Sequence, residues 1–249
     1  MEKIIFVTGT DTGVGKTVLT AMLLTYLRKK GANALGMKPF CSGSRGDARL
    51  LQSCQKGCLT LDEINPFYFD KPLAPGAAGK NVPWRAVVKK IRNLACQCDV
   101  LVVEGVGGLL VPLGKSYAVR DLIGQLGGQT IIVSANRLGT VNHTLLTVES
   151  LQSVHIKPLA IVMMGVNKPD ISARSNARMI REMSPQTALF EVPFLGFSAG
   201  NASEIENNVI FLKKPLALLS KTVNLVTFFS KTREVDRRNR LTTRLNRLD

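Results

Sequence analysis

Short runs of apolar, β-branched residues alternate along this chain with stretches whose apolar positions recur every three or four residues. The first pattern reads as buried strand and the second as amphipathic helix. Strands are expected at Ile4–Thr8, Ala32–Met37, Asp99–Glu104, Thr130–Ala135, Pro158–Met164 and Ala188–Val192. Helices are expected at Val18–Lys30, Asp47–Gln55, Val82–Cys98, Ala118–Leu126, Val141–Ser153, Ile171–Met183 and Pro215–Phe229. Residues 40–82 are rich in Pro and Gly and read as loop around the helix that starts near Asp47. Strands and helices in alternation predict an α/β fold with a doubly wound, mostly parallel sheet and helices on both faces. Ligands of such sheets bind at the carboxyl ends of the strands. That edge gathers residues 9–17, 38–47, 104–108, 134–143, 165–169 and 193–201. Residues 1–229 are expected to form one domain. Residues 230–249 read as a solvated basic tail, in which Leu241, Leu245 and Leu248 have the spacing of a short amphipathic helix.

Composition narrows the classes. A chain of 249 residues with 45% hydrophobic residues can bury a sizeable core. It holds no apolar run near the roughly 18–20 residues of a membrane span. The N-terminus enters the first strand without a signal-peptide pattern, so a cytoplasmic protein is expected. The formal net charge of +15 admits nucleic acid, an anionic membrane surface or anionic small molecules as partners. The five cysteines (Cys41, Cys54, Cys58, Cys96 and Cys98) lack zinc-site spacing, and His143 and His155 lie far from them. They read as reduced, mostly packed thiols.

Chemistry concentrates in Gly9-Thr10-Asp11-Thr12-Gly13-Val14-Gly15-Lys16-Thr17, between the first strand and the first helix. A strand, a Gly-rich loop ending in Gly-Lys-Thr and a helix form a phosphate-binding P-loop. Its backbone N–H groups and the helix dipole favour an anion. Lys16 would reach the β/γ-phosphates, and the Thr17 hydroxyl would ligate Mg²⁺. The usual loop has four residues between its glycines; Gly9 and Gly15 enclose five. Glu104 ends an apolar strand and is either a solvated strand-end acid or a desolvated carboxylate that needs a cation. Asp47 is either a second metal ligand or a helix cap. Lys38, after the second strand, is either a solvated lysine or a charge that balances phosphate and a developing transition state. Thr12, Ser42 and Ser44 are hydroxyl residues of the same edge that would orient a polar substrate or make turns.

The loop at 9–17, followed by Lys38-Pro39-Phe40-Cys41-Ser42-Gly43-Ser44, resembles dethiobiotin synthetase. Asn65-Pro66, Glu104-Gly105-Val106-Gly107-Gly108, Asn142-His143 after Leu138-Gly139, and Glu191-Val192-Pro193-Phe194-Leu195-Gly196 match in the same order, over roughly residues 3–196. The resemblance implies ATP- and Mg²⁺-dependent closure of a ureido ring on 7,8-diaminononanoate and CO₂, through a carbamate and a carbamic–phosphoric anhydride. By the same resemblance Lys16 and Lys38 are catalytic. Thr12, Gly13, Val14, Gly15, Lys16, Thr17, Glu104, Gly107, Asn167 and Pro193 would hold the nucleotide. Thr17, Asp47 and Glu104 would hold Mg²⁺, and Thr12, Ser42, Gly107 and Asn142 the organic substrate. It further implies a homodimer in which the substrate carboxylate meets the partner's helix N-terminus near residues 139–142. A membrane partner is not expected, nor is nucleic acid. The chain departs from the family in three places: Gly13 stands where an acid is common, Gly165 stands where an Asn commonly reads adenine (Asn167 lies two residues on), and the basic tail is extra. Two rival readings share parts of the pattern. A partitioning ATPase would carry a lysine where this chain has Asp11, and a cobyrinate-amidating enzyme would need a further glutaminase domain.

Overall fold

The computed structural model describes residues 4–78 and 81–222. In chain order it contains β1 (Ile4–Gly9), α1 (Lys16–Lys29), β2 (Ala34–Met37), β3 (Phe40–Ser42), α2 (Gly46–Cys54), α3 (Leu61–Ile64), β4 (Phe67–Phe69), α4 (Trp84–Ala95) and β5 (Val100–Glu104). Then follow α5 (Val119–Leu126), β6 (Gln129–Ala135), α6 (Thr140–Gln152), β7 (Ala160–Met164), α7 (Asn176–Met183), β8 (Ala188–Val192), α8 (Ala202–Phe211) and α9 (Lys213–Thr222).

The large sheet has six parallel strands in the order β2-β5-β1-β6-β7-β8. Every residue of β1, β2, β5 and β7 is buried, which is why these runs are continuously apolar instead of alternating. α1 packs with α2, α8 and α9, whereas α4 and α5 pack together over β5 and β1. The two helix groups thus cover the same central strands from opposite faces. Register then decides what meets at the carboxyl edge. Met37 pairs with Val103 and Val7 with Glu104, so Lys38, Glu104 and the start of the loop after β1 arrive side by side.

Residues 40–82 hold more structure than loop. β3 and β4 pair in parallel as a second, two-stranded sheet, with Phe40 stacked on Phe67 and Phe69. α3 between them carries a complete capping box from Thr60 and Glu63. Each piece is three or four residues long, too short to show a period. The helix expected at Ile171–Met183 is broken: Asp170 caps a 3₁₀ turn over Ile171–Arg174, and α7 begins only at Asn176. The helix expected from Val82 begins at Trp84, because Pro83 occupies its N-cap. α8 had no counterpart in the sequence reading. The expected Pro215–Phe229 helix begins earlier, at Lys213; residues 223–229 and the tail 230–249 lie outside the described residues, as does the proposed domain boundary at 229. Only Cys41 is buried among the thiols. Cys54 and Cys98 are half-buried, and Cys58 and Cys96 are exposed, so the packing expected of them holds only in part. No described helix is long and apolar enough to cross a membrane.

Candidate active site

The loop between β1 and α1 is shaped by its glycines. Gly13 and Gly15 take left-handed conformations, with φ of 71° and 97°. A Cβ on Gly9 would lie 2.8 Å from Lys16 Nζ and 2.9 Å from Val14 Cγ2. Val14 is 3% exposed and anchors the loop in the core by its side chain, so only its main chain can serve a nucleotide. Lys16 folds back under the loop, and its Nζ donates to the Asp11 carbonyl at 2.7 Å. Burial, reinforced by the charge of Lys38, pushes the Lys16 pKa down to about 8. The Asp11 carboxylate accepts from Thr12 N at 2.7 Å and lies 3.5 Å from Arg137 on the loop after β6.

Beside Lys16 sits a compact cluster of charges. Lys38 Nζ lies 2.5 Å from Glu104 Oε1 and 2.8 Å from Asp47 Oδ2. Lys38 and Glu104 are both buried, at 4% and 1% exposure, so neither the solvated-lysine nor the solvated-acid alternative holds. Thr17 Oγ1 donates to the same Glu104 oxygen at 2.7 Å. Burial pushes the Lys38 pKa down, but Glu104 and Asp47 reverse this and hold it above the ordinary lysine value. Burial likewise opposes the Asp47 charge, and Lys38 outweighs it, so the Asp47 pKa falls. The second Glu104 oxygen, Oε2, is buried with no hydrogen-bond partner. An orphaned carboxylate oxygen beside a threonine hydroxyl and a second carboxylate is a hard-oxygen donor set that fits Mg²⁺.

These residues line a cleft of about 630 Å³. Thr12, Gly13, Gly15, Thr17, Asp47 and Gly107 face it with Lys16, Lys38 and Glu104; Pro72, Leu73 and Ala74 form an apolar wall. Ser42 lines it too, and its buried hydroxyl oxygen has no partner. Gly107 is left-handed, with φ of 59°, and a Cβ there would collide with Val111 at 2.7 Å.

A second cavity, of about 840 Å³, opens on the same edge beyond β7. Its wall includes Asn136, Met163, Gly165, Asp170, Glu191 and Pro193. It adjoins the loop, since Met164 packs 3.0 Å from the Cβ position of Gly15. Pro193 lies in this wall. Asn167 does not: it is exposed and outside the lining. Gly165 has no room for any side chain, because a Cβ would lie 2.5 Å from Phe194 N and 2.9 Å from Pro193 C. Asn142 lies exposed in the first turn of α6, outside the lining of both cavities. Asn136 and Glu191, which line the second cavity, carried no assigned role in sequence; only their place just beyond or within strands of the ligand edge marked them.

A family model described as an AAA domain matches residues 3–199. The ATP-dependent dethiobiotin synthetase BioD of Bacillus velezensis is 38% identical over 203 residues, covering 78% of this chain and 84% of that protein. The enzyme of the same name from Bacillus subtilis strain 168 is 36% identical over 231 residues, covering 89% and 97%. That of Anaeromyxobacter dehalogenans strain 2CP-C is 40% identical over 200 residues, covering 76% and 89%. Among solved structures, MinD in the MinC:MinD cell division complex of Aquifex aeolicus superposes with a TM-score of 0.55 at 14% identity, over 85% of this chain and 95% of that one. Apo McdA from Cyanthece gives 0.53 at 15% identity, over 91% and 98%. These two similarities concern the fold alone.

Proposed function

The chain belongs to the ATP-dependent dethiobiotin synthetase family of biotin biosynthesis, and from that premise we propose how its residues divide the work of ring closure. The observation that carries the reading is the buried Lys38 held between Glu104 and Asp47, beside a phosphate-binding loop. The substrate is 7,8-diaminononanoate, one amine of which captures CO₂ as a carbamate. A carbamate oxygen attacks the γ-phosphorus, ADP departs, and a carbamic–phosphoric anhydride forms. The second amine attacks its carbonyl carbon; the C–O bond to phosphate breaks, and the amine loses its proton to solvent. No protein nucleophile is required, so catalysis is positioning and charge stabilisation.

Lys16 exchanges the Asp11 carbonyl for phosphate oxygens. Lys38 meets the charge that develops between carbamate and γ-phosphate. Thr12, Ser42 and Gly107 border the diamine, with the unpartnered Ser42 hydroxyl as a ready hydrogen-bonding group. Thr17, Asp47 and Glu104 hold Mg²⁺, which when bound neutralises charge on the phosphate oxygens. The base of the nucleotide lies in the cavity walled by Gly165 and Pro193.

The protein acts as a homodimer. Support comes from exposed apolar residues on and before α6 (Leu138, Leu146) and on α7 (Met179, Met183). The α6 N-terminus has no side-chain cap, and Gly139 is left-handed there, leaving N–H groups to receive a substrate carboxylate from the partner subunit. Asn142 stands in that turn. Reliance on ATP and reduced thiols fits a cytoplasmic enzyme of small molecules. The test is to incubate the protein with diaminononanoate, bicarbonate, ATP and Mg²⁺ and to follow dethiobiotin by mass spectrometry. Stoichiometric dethiobiotin and ADP are expected; ATP hydrolysis without dethiobiotin sinks the assignment.

A further inference from the structure

Asn65 touches neither cavity, yet its buried side chain is bound at both ends. It is 1% exposed. Its Nδ2 donates to the Lys38 carbonyl at 2.9 Å and to the Pro39 carbonyl at 3.3 Å. Its Oδ1 accepts from Arg45 Nε at 3.0 Å. The opposite amide orientation would set an oxygen against two carbonyls and a donor against a guanidinium, so the network admits only this one. Arg45 is the N-cap residue of α2, two positions before Asp47. Its Nη2 also donates to the carbonyls of Leu61 and Asn65, both at 2.9 Å, and pairs with Asp62 at 2.7 Å. The guanidinium lies 5.5 Å from the Tyr68 ring centroid. The other end of α2 is pinned as well: Gln55 exchanges two hydrogen bonds with Gly36 of β2, at 3.0 and 3.1 Å.

One amide therefore grips the main chain under Lys38 and the side chain at the head of the helix that carries Asp47. These partners stand 27 and 20 residues from it in sequence, so its bonds are not those of a local turn. We infer that Asn65 is a positioning residue, which with Arg45 fixes the Lys38 ammonium against the Asp47 carboxylate. The inference rests on the reading of Lys38 as the charge that meets the reacting phosphoryl group. Such precision matters, because a displacement of about 1 Å in a preorganised site costs on the order of 100-fold in rate.

Two variants test it. Asn65→Asp keeps an acceptor for Arg45 but turns an oxygen towards the two carbonyls; Arg45→Met cuts the other arm and serves if the first does not fold. In each, kcat for dethiobiotin falls about 100-fold while KM for ATP stays within about twofold. In an Asp47→Asn background the same changes cost less than about threefold, because the residue they act through is already gone. Losses that multiply instead mark general destabilisation and overturn the inference. Amide hydrogen exchange gives a readout that needs no turnover. The segment 38–47 exchanges about tenfold faster in either variant, with the loop at 9–17 unchanged. Unaltered exchange at 38–47 overturns the clamp even where turnover drops. A native chain that makes no dethiobiotin, while its variants show the exchange change, removes the functional reading and leaves the clamp standing.

Discussion

The two cavities on the carboxyl edge of the sheet are built by opposite means. The phosphate-side cleft is made by side chains that bind one another: Lys38, Glu104, Asp47 and Thr17 interlock within single hydrogen-bond distances. The cavity beyond β7 is made by main chain and apolar surface. Its polar side chains are turned to their own neighbours: Asn136 Nδ2 donates to the Ala173 carbonyl at 3.2 Å, and its Oδ1 accepts from Asn176 at 2.9 Å. The first arrangement suits a reaction whose barrier is charge movement, where preorganised dipoles contribute most. The second suits the retention of a flat group that takes no part in the chemistry.

The largest effect is expected at the centre of the first region. Lys38→Met removes the charge on which Glu104 and Asp47 converge and should lower kcat about 1,000-fold. Steady-state kinetics should show KM for ATP little changed, because the phosphate loop is intact. A large rise in KM with kcat preserved would mean that Lys38 only binds. Glu104→Gln should cost about 100-fold in kcat and raise the Mg²⁺ concentration for half-activity about tenfold, since an amide N–H₂ replaces the orphaned oxygen. Titration of activity against Mg²⁺ checks it; an unchanged requirement would place the metal elsewhere.

The same contrast explains what was legible in sequence. Lys16 and Thr17 could be named from the Gly-rich loop, Lys38 and Glu104 because a charge at the end of an apolar strand is chemically explicit, and Asp47 only as either a ligand or a helix cap. The parallel sheet followed from continuous β-branched runs such as Val100–Val103. The second cavity was not legible in this way. Gly165 matters through the backbone that crowds it, and Asn136 through partners 37 and 40 residues away. The resemblance offers Asn167 for the base because it lies two residues beyond the family's position after β7, but the turn of the chain there leaves it exposed. β3, β4 and α3 escaped for a different reason: three- and four-residue elements carry no period. Their effect is still large, since Asn65 follows α3 directly.

An intermediate effect is expected at the wall between the regions. Gly165→Ala inserts a methyl 2.5 Å from Phe194 N and 3.1 Å from the Val192 carbonyl. Backbone must move, at an expected stability cost of about 1–3 kcal/mol. KM for ATP should rise about tenfold with kcat nearly kept, the reverse of the Lys38→Met pattern. If kcat falls and KM holds, the two cavities are not separable and the contrast between them fails.

Only weak selectivity is expected when the base itself is changed. Discrimination of 10⁴-fold or more needs buried polar groups that a wrong base leaves unpaired; apolar surfaces alone give about 10- to 200-fold. In the cavity beyond β7 the polar groups are partly exposed and already engaged. Glu191 pairs with Arg181 at 2.7 Å, and Asp170 accepts from Ser172 and from Leu138 N. The Gly165 N–H donates to the Val192 carbonyl at 2.7 Å. Met163, Val166, Pro193 and Phe194 remain as contact surface, with Arg174 exposed at the rim. Competition between ATP, GTP and CTP should therefore show kcat/KM values within about 100-fold of one another, with the differences in KM. A preference for ATP beyond about 10⁴-fold would require polar groups in this cavity to change partners when the nucleotide binds, and Asn136, the only amide side chain in the described wall, is where that exchange would have to occur.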